Sequence, residues 1–459
     1  MGIVSRHNPK IDKEVYHVQS TKNTKILCAI LSAGTVKCHE NFPGPLFSKE
    51  KKRWSLRNII LQALMMSYDP SPALKDRFEN AWRCLGEMFG HEKRAGHSYQ
   101  GFVKARGKLP GSVREGLQKH LQQQHARAAG SYWRRSGWIP FAVDGSRVEL
   151  PRTAANAAAL GRAGREKTGP QFQLTTLYHM GTGLPWDWRI GPGTEAERTH
   201  LRAMRGSLPK DALLVADAGF TGYELFGELI QQGLSFLIRV GSNVTLLQEL
   251  GLEVERQGRW VWLWPSSKRK QAPLPLRLIR LKSKTRSKLS RSCQELYLLT
   301  NVFDERRLSK EQAAEFYRRR WGVELFYRSF KQTLDQRKLR SRAPAQAAEE
   351  LHWSLTALLL LSLMSVQALV QKHIDPLRFS VAGSLRTLRQ AMTSRQCWRC
   401  RGDLRVRLSG ALKDDYRRNG LKRSRAWPHK KTELPPGAPK IRRAKPEEIS
   451  CAQRIYHVA

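Results

Sequence analysis

Three acids stand out in a chain that is otherwise strongly basic: Asp144 in "FAVDGSRVEL", Asp217 closing "ALLVAD", and Glu324 inside "YRRRWGVELFYRSFKQ". Carboxylate oxygens are hard donors, and Mg²⁺ prefers such ligands while keeping positions open for phosphate and water. Three carboxylates brought together could hold two ions about 3.5 to 4 Å apart, one activating an attacking oxygen and the other stabilising the leaving oxygen in an in-line displacement at phosphorus. The acids lie 73 residues apart (144 to 217) and 107 apart (217 to 324), so only a fold can assemble them.

Each acid also has a purely structural reading. Asp144-Gly145 between apolar segments is the leading signal for a tight hairpin. Asp217 can form an Asx turn through "DAGF". Glu324 can pair with Arg320 one helical turn away, worth only about 0.3 to 0.5 kcal/mol. Treated as one helix over 310–335, the segment places Tyr317, Arg320, Glu324 and Lys331 within about 60° of one another at about 100° per residue. Phe316, Val323, Tyr327, Phe330 and Leu334 form an adjacent apolar stripe, and Arg318 and Arg328 project to solvent.

The elements that must position these acids follow from periodicity. Residues 1–130 read as irregular and then helical, through "LRNIILQALMMS", "ALKDRFENAWRCLGEMFG" and "VREGLQKHLQQQHARAA". From Trp138 the pattern changes to short apolar strands, "WIPFAVDGSRVELP", "FQLTTLYHM" and "LPWDWRI", which predict an antiparallel meander. A helix from Thr194, the strand "ALLVAD", a helix from Thr221 and the strand "LSFLIRV" complete a βββαβαβ order over 138–243. Capping boxes are predicted at Thr194 with Glu197, Thr221 with Glu224, and Ser309 with Gln312. Residues 244–300 read as a β-rich insertion with basic connectors, and 301–345 as the last part of the same domain. Helices are expected over 346–405, including the apolar run "WSLTALLLLSLMSVQALV", which reads as a buried helix because Ser, Thr and Gln interrupt it. The basic, proline-containing tail 406–459 reads as disordered. A strand acid, a meander, a strand ending in an acid and a later acidic helix form the order in which an α/β, ribonuclease-H-like domain gathers three carboxylates.

Composition points to a polyanionic partner. Lys and Arg total 81 against 39 acids, a formal charge of +42 spread along 459 residues, a length that suggests two to four domains. Nucleic acid fits better than a membrane surface, since no basic cluster flanks a membrane-length segment. Seven scattered cysteines do not form a disulfide framework and fit a reducing cytosol. Cys397 and Cys400 form "CWRC", which lacks a second pair for a zinc site. The N-terminus "MGIVSRHNPKIDKEV" has no signal-peptide layout.

The segment 138–345 resembles the DDE transposases of bacterial insertion sequences, specifically the insertion-sequence-four family with its Tyr-x2-Arg-x3-Glu-x6-Lys signature. Tyr317, Arg320, Glu324 and Lys331 complete that signature here, and "VDGSRV" and "ADAGF" resemble the two aspartate blocks. The resemblance implies Asp144, Asp217 and Glu324 as catalytic metal ligands for two Mg²⁺ ions, with Mn²⁺ able to substitute. It implies cleavage at transposon ends, joining of the 3′-hydroxyl to target DNA, a dimer in the active complex and a bacterial, nucleoid-associated location in the cytoplasm. Tyr317, Arg320 and Lys331, with Trp321 beside them, would contact DNA. One of Trp260, Trp262 and Trp264 would receive a flipped base in members that form a hairpin, although core packing competes for all three. An inactive DNA-binding relative, and a nuclease that does not join strands, are the alternatives.

Overall fold

A computed structural model of the chain describes residues 54–89, 96–163, 168–252, 260–282, 295–393, 404–414 and 437–458. Helix α1 (Leu56–Tyr68) starts at Ser55, whose side chain accepts from the Asn58 N–H, and is buried from Ile59 to Tyr68. It packs against α2 (Leu74–Phe89), and α3 (Tyr99–Gly107) and α4 (Gly111–Ala129) complete the amino-terminal helices.

The sheet begins with β1 (Ile139–Glu149). It is followed by α5 (Ala154–Leu160), β2 (Gln171–His179), β3 (Leu184–Pro192), α6 (Glu197–Met204), β4 (Ala212–Ala216), α7 (Tyr223–Gln231) and β5 (Ser235–Val240). Then come β6 (Thr245–Gln248), β7 (Val261–Leu263), β8 (Leu274–Lys282) and β9 (Glu295–Thr300). Strands β1, β2 and β3 form the antiparallel meander, and β4 and β5 add to β1 in parallel. The spatial order 3-2-1-4-5 is that of a ribonuclease-H-like sheet. All five residues of β4 are buried, as a parallel strand covered on both faces requires.

Alternation along β1 divides the core. Ile139, Phe141 and Val143 pack with Leu201, Met204, Leu225, Phe226 and Leu229 of α6 and α7. Trp138, Ala142 and Val148 face the opposite core, which is covered by α8 (Lys310–Arg319), α9 (Gly322–Arg328) and the long α10 (Pro344–Val370). Helix α10 is long and apolar enough to cross a membrane, and here most of it is buried against α1, α4, α11 (Val381–Thr393), α12 (Leu404–Ser409) and β3.

Asp144 lies within its strand, as the strand reading of "WIPFAVDGSRVELP" expects: β1 continues in register with β2 from Phe141–His179 to Glu149–Gln171, so cross-strand pairing overrides the local Asp-Gly turn preference. Other expectations change. The helix expected over 310–335 is broken at Arg320-Trp321 and ends in a π turn at Ser329–Thr333. Only Ser309 with Gln312 forms a capping box. Helices α6 and α7 start at Ala196 and Gly222 without side-chain caps, and the Thr221 hydroxyl donates instead to Arg239 O.

The insertion is β-rich, as expected. Strands β6 to β9 extend the same sheet, whose order among the described residues is β10-β6-β7-β8-β9-β5-β4-β1-β2-β3, ending in β10 (Lys440–Arg443). The tail expected to be disordered thus supplies a parallel edge strand on β6, followed by α13 (Pro446–Val458). Its order comes from apolar burial and charge pairing: Ala452 packs with Leu247, Leu250, Trp262 and Trp264, and Glu448 pairs with Arg269 and Arg442. Cys397 and Cys400 lie outside the described residues.

Candidate active site

Asp144 and Asp217 are levelled by strand register. Ala142 of β1 pairs in parallel with Val215 of β4, and each aspartate lies two residues farther on. Adjacent strands run about 4.8 Å apart, so Asp217, just past the end of β4, stands level with Asp144 midway along the longer β1. Asp217 also makes the Asx turn anticipated for it, its Oδ1 accepting from the Gly219 N–H at 2.9 Å. That turn fixes the chain direction after β4 and leaves the second oxygen available.

Helix α9 closes the crevice on the Ala142 side of the sheet. The Tyr327 hydroxyl donates to Asp144 O at 2.8 Å and lies 3.3 Å from Leu174 O, tying the helix to β1 and β2. Glu324 lies in the first turn of α9, and Arg320 at the helix break reaches both acids. Its Nη2 donates to Glu324 Oε1 at 3.2 Å, and its Nη1 lies 4.0 Å from Asp144 Oδ2. The Arg320 side chain is only 11% exposed, so this is not the solvated surface pair of the structural reading. Tyr317 lies beneath it, with its ring centroid 5.6 Å from the guanidinium. Lys331 Nζ donates to Ser146 Oγ at 2.8 Å, two residues along β1 from Asp144. Arg320 thus contacts Glu324 and approaches Asp144, and Lys331 reaches the same strand at Ser146, while Arg318 and Arg328 are exposed.

The electrostatics are those of crowded, partly buried acids. Burial pushes the Asp144 carboxyl up to about 7 against the pull of Arg320 and of the Gly145 N–H, with Asp217 and Glu197 adding to the rise. Burial also raises Glu324, opposed by Arg320 and reinforced by Asp217. Lys331 is lowered by burial.

Glu197 was read in the sequence only as the acid of a capping box with Thr194. It is the first residue of α6, accepts from Gln173 Nε2 at 3.1 Å, and is raised by burial and by Asp217. The one sequence signal for it is Gly145, the small residue directly after a strand acid. Any β-carbon there would collide with Glu197 Oε1 and Gln173 Nε2.

The aromatic candidates separate by burial. Trp262 and Trp264 are core residues, and Trp264 Nε1 donates to Gln271 O at 2.7 Å. Trp260 is half-buried and stacks on Phe303 with centroids 4.0 Å apart. Trp321 is 57% exposed beside the groove.

Among the described residues no group of three or more His, Cys, Asp and Glu side chains is closed tightly enough to hold an ion. The donor chemistry nevertheless fits hard divalent cations: the groups converging on the crevice are carboxylates, and the positive group between Asp144 and Glu324 is the Arg320 guanidinium.

Residues 139–360 match the family model of the transposase DDE domain, a span that runs from β1 into α10 and contains Asp144, Asp217 and Glu324. No curated protein matches the chain. Among solved structures, the chain is similar to the cryo-EM structure of a piggyBac transposase synaptic complex with hairpin DNA. The identity is 14%, the TM-score 0.39, and the similarity covers 92% of this chain and 80% of that one. The domain match supports a DDE transposase.

Proposed function

We propose that this chain is a DNA transposase of the insertion-sequence-four type that cuts the ends of its element and joins the freed 3′-hydroxyl to target DNA. The observation that supports this most is the placement of carboxylates from β1, the end of β4 and α9 around one crevice inside the matched domain. Asp144, Asp217 and Glu324 would hold Mg²⁺, or Mn²⁺ in its place. Two such ions would activate the attacking oxygen and stabilise the leaving one. The chain's own residues do the rest. Arg320, freed from its carboxylates, and Lys331 would hold phosphate oxygens beside the acids, a role supported by Arg320's contact with Glu324 and by Lys331's bond to Ser146, two residues from Asp144. Tyr317 supports Arg320 through its ring face. Trp321 offers an exposed ring for stacking on a base.

The partners are the element's inverted-repeat ends and target DNA, bound by a dimer in the bacterial cytoplasm. The charge of +42 supplies most of the sequence-independent affinity through phosphate contacts and counterion release. The test is strand cleavage and joining on DNA carrying the element's ends, with a gel shift in parallel. Asp144→Asn, Asp217→Asn and Glu324→Gln should each abolish cation-dependent cleavage and leave binding largely intact. Near-normal cleavage by any one of them removes that residue from the triad. Cleavage without joining would mark a nuclease instead.

A further inference from the structure

A cavity of about 20 Å³ lies where the amino-terminal helices meet the long helix α10, lined by Met66 of α1, Arg77 of α2, Tyr99 and Arg106 of α3, and Glu350 and Trp353 of α10. A space of that size holds a water or one small ion. Its two arginines belong to the interior, Arg77 being 2% exposed and Arg106 6%. Arg77 donates through Nε to Ser71 O at 2.6 Å. Arg106 donates through Nη2 to Gln346 Oε1 at 2.7 Å and lies over the Phe102 ring, 5.4 Å from its centroid. These partners are all neutral, and neither guanidinium pairs with a carboxylate among the described residues. The Arg106 Nε is buried with no hydrogen-bond partner at all.

The acids nearby are engaged elsewhere. Glu350 lines the cavity, but its oxygens accept from the Arg340 N–H at 3.1 Å and from the Ser341 N–H at 2.8 Å. Asp69 Oδ1 accepts from the Ser71 N–H at 2.9 Å, and Asp335 pairs with Arg340. The lining thus carries two guanidiniums against one carboxylate that is already bonded to backbone. Water in the cavity would satisfy the open N–H groups, and that is the ordinary reading of such a space. It would leave the excess positive charge uncompensated, and a buried charge without a counter-charge is costly. An anion supplies both the acceptor and the charge.

We propose that this cavity binds one monatomic anion of chloride size between Arg77 and Arg106, and that the ion fastens the amino-terminal helices to α10. The space is too small for a nucleic-acid phosphate, so the site is separate from the basic charge that meets DNA and does not rest on the function proposed above. The full chain is melted at one fixed ionic strength while sodium gluconate, whose anion cannot enter the cavity, is exchanged for sodium chloride. Fixed ionic strength keeps the screening of the +42 charge constant. The proteins compared are the wild type, Arg106→Gln, Arg77→Gln and the exposed Arg318→Gln.

The wild-type midpoint should rise with chloride, as binding to the folded state alone requires. Arg106→Gln and Arg77→Gln should each need about 10-fold more chloride for the same rise, the lower end of what one hydrogen bond to a charged group contributes. Arg318→Gln should follow the wild type. The readout is the chloride-dependent rise and not the starting midpoint, since Arg106→Gln also alters the contact with Gln346. No rise in the wild type, or the same rise in all four proteins, overturns the site. Should the cavity variants fold poorly, crystals of the wild-type chain grown in sodium bromide decide. An anomalous bromide peak within hydrogen-bond distance of Arg106 Nε supports the proposal, and a cavity that holds only water while bromide binds elsewhere on the chain refutes it.

Discussion

Replacing Asp144 with Asn should stabilise the ion-free protein. Burial raises this carboxyl from 3.8 to about 7, so the fold favours its protonated form. A raised acid contributes stability that is fully present below its unfolded value and is lost as pH climbs through the folded one. At pH 8 the ionised group therefore costs up to about 4 kcal/mol, from roughly three pK units at about 1.4 kcal/mol each. Asparagine mimics the protonated acid and its Oδ1 can still accept from the Gly145 N–H. The value of about 7 already includes the attraction of Arg320, 4.0 Å away, so a gain of up to about 4 kcal/mol is expected at pH 8. By pH 5 the wild-type group is itself mostly protonated in the fold, and the advantage should shrink by about half or more. The assay is thermal melting of both proteins in chelator from pH 5 to 8, then with Mn²⁺ added at pH 8. Mn²⁺ should raise the wild-type midpoint and leave that of Asp144→Asn nearly unmoved. An Asn variant that melts at or below the wild type at pH 8 in chelator would refute the picture of a buried, repelled carboxylate.

The remaining predictions concern the groove and the core. Arg320→Ala and Lys331→Ala should reduce cleavage far more than Arg318→Ala or Arg328→Ala, and equal small losses in a cleavage assay would reduce all four to general basicity. Trp321→Ala should change stability by no more than about 0.5 kcal/mol yet weaken end-DNA complexes by about 1 to 3 kcal/mol in gel shifts, whereas Trp262→Ala should cost about 3 to 5 kcal/mol in denaturant unfolding. His125 and His179 both contact Thr182 Oγ1, at 2.6 and 2.8 Å, and burial holds His179 down at about 3 and His125 well below its usual value. Stability from this pair is present above about pH 6.5 and lost as pH falls toward 3. The acid limb of a pH–melting profile should therefore be shallower in His179→Gln, and an unchanged limb would clear the pair of that role.

Much of this was legible because strands β1, β4 and β5 are apolar runs of the right length, and because the acids end or interrupt them at fixed places. The strand reading of Asp144 holds over the hairpin alternative because local turn preference is weaker than nine consecutive strand pairings with β2. The helical projection assumed one ideal helix and missed the break at Arg320-Trp321, which sequence periodicity does not mark. Despite the break, Arg320 reaches both Glu324 and Asp144, and Lys331 reaches Ser146 on the same strand as Asp144. The capping boxes at Thr194 and Thr221 failed because those helices begin later, at Glu197 and Tyr223, and Thr221 spends its hydroxyl on Arg239 O. Glu197 was hidden by its ordinary position at a helix start, and only packing over Gly145 reveals where it points. The carboxy-terminal strand and helix were hidden by their charge, which Glu448 offsets through Arg269 and Arg442.

The most direct test of the central claim is the location of bound Mn²⁺ by anomalous scattering in crystals of the full chain. The account predicts density in the crevice between the carboxylates of Asp144, Asp217 and Glu324, absent from crystals of Asp217→Asn. Manganese bound elsewhere, or a crevice that stays empty while cleavage still requires the ion, would contradict it.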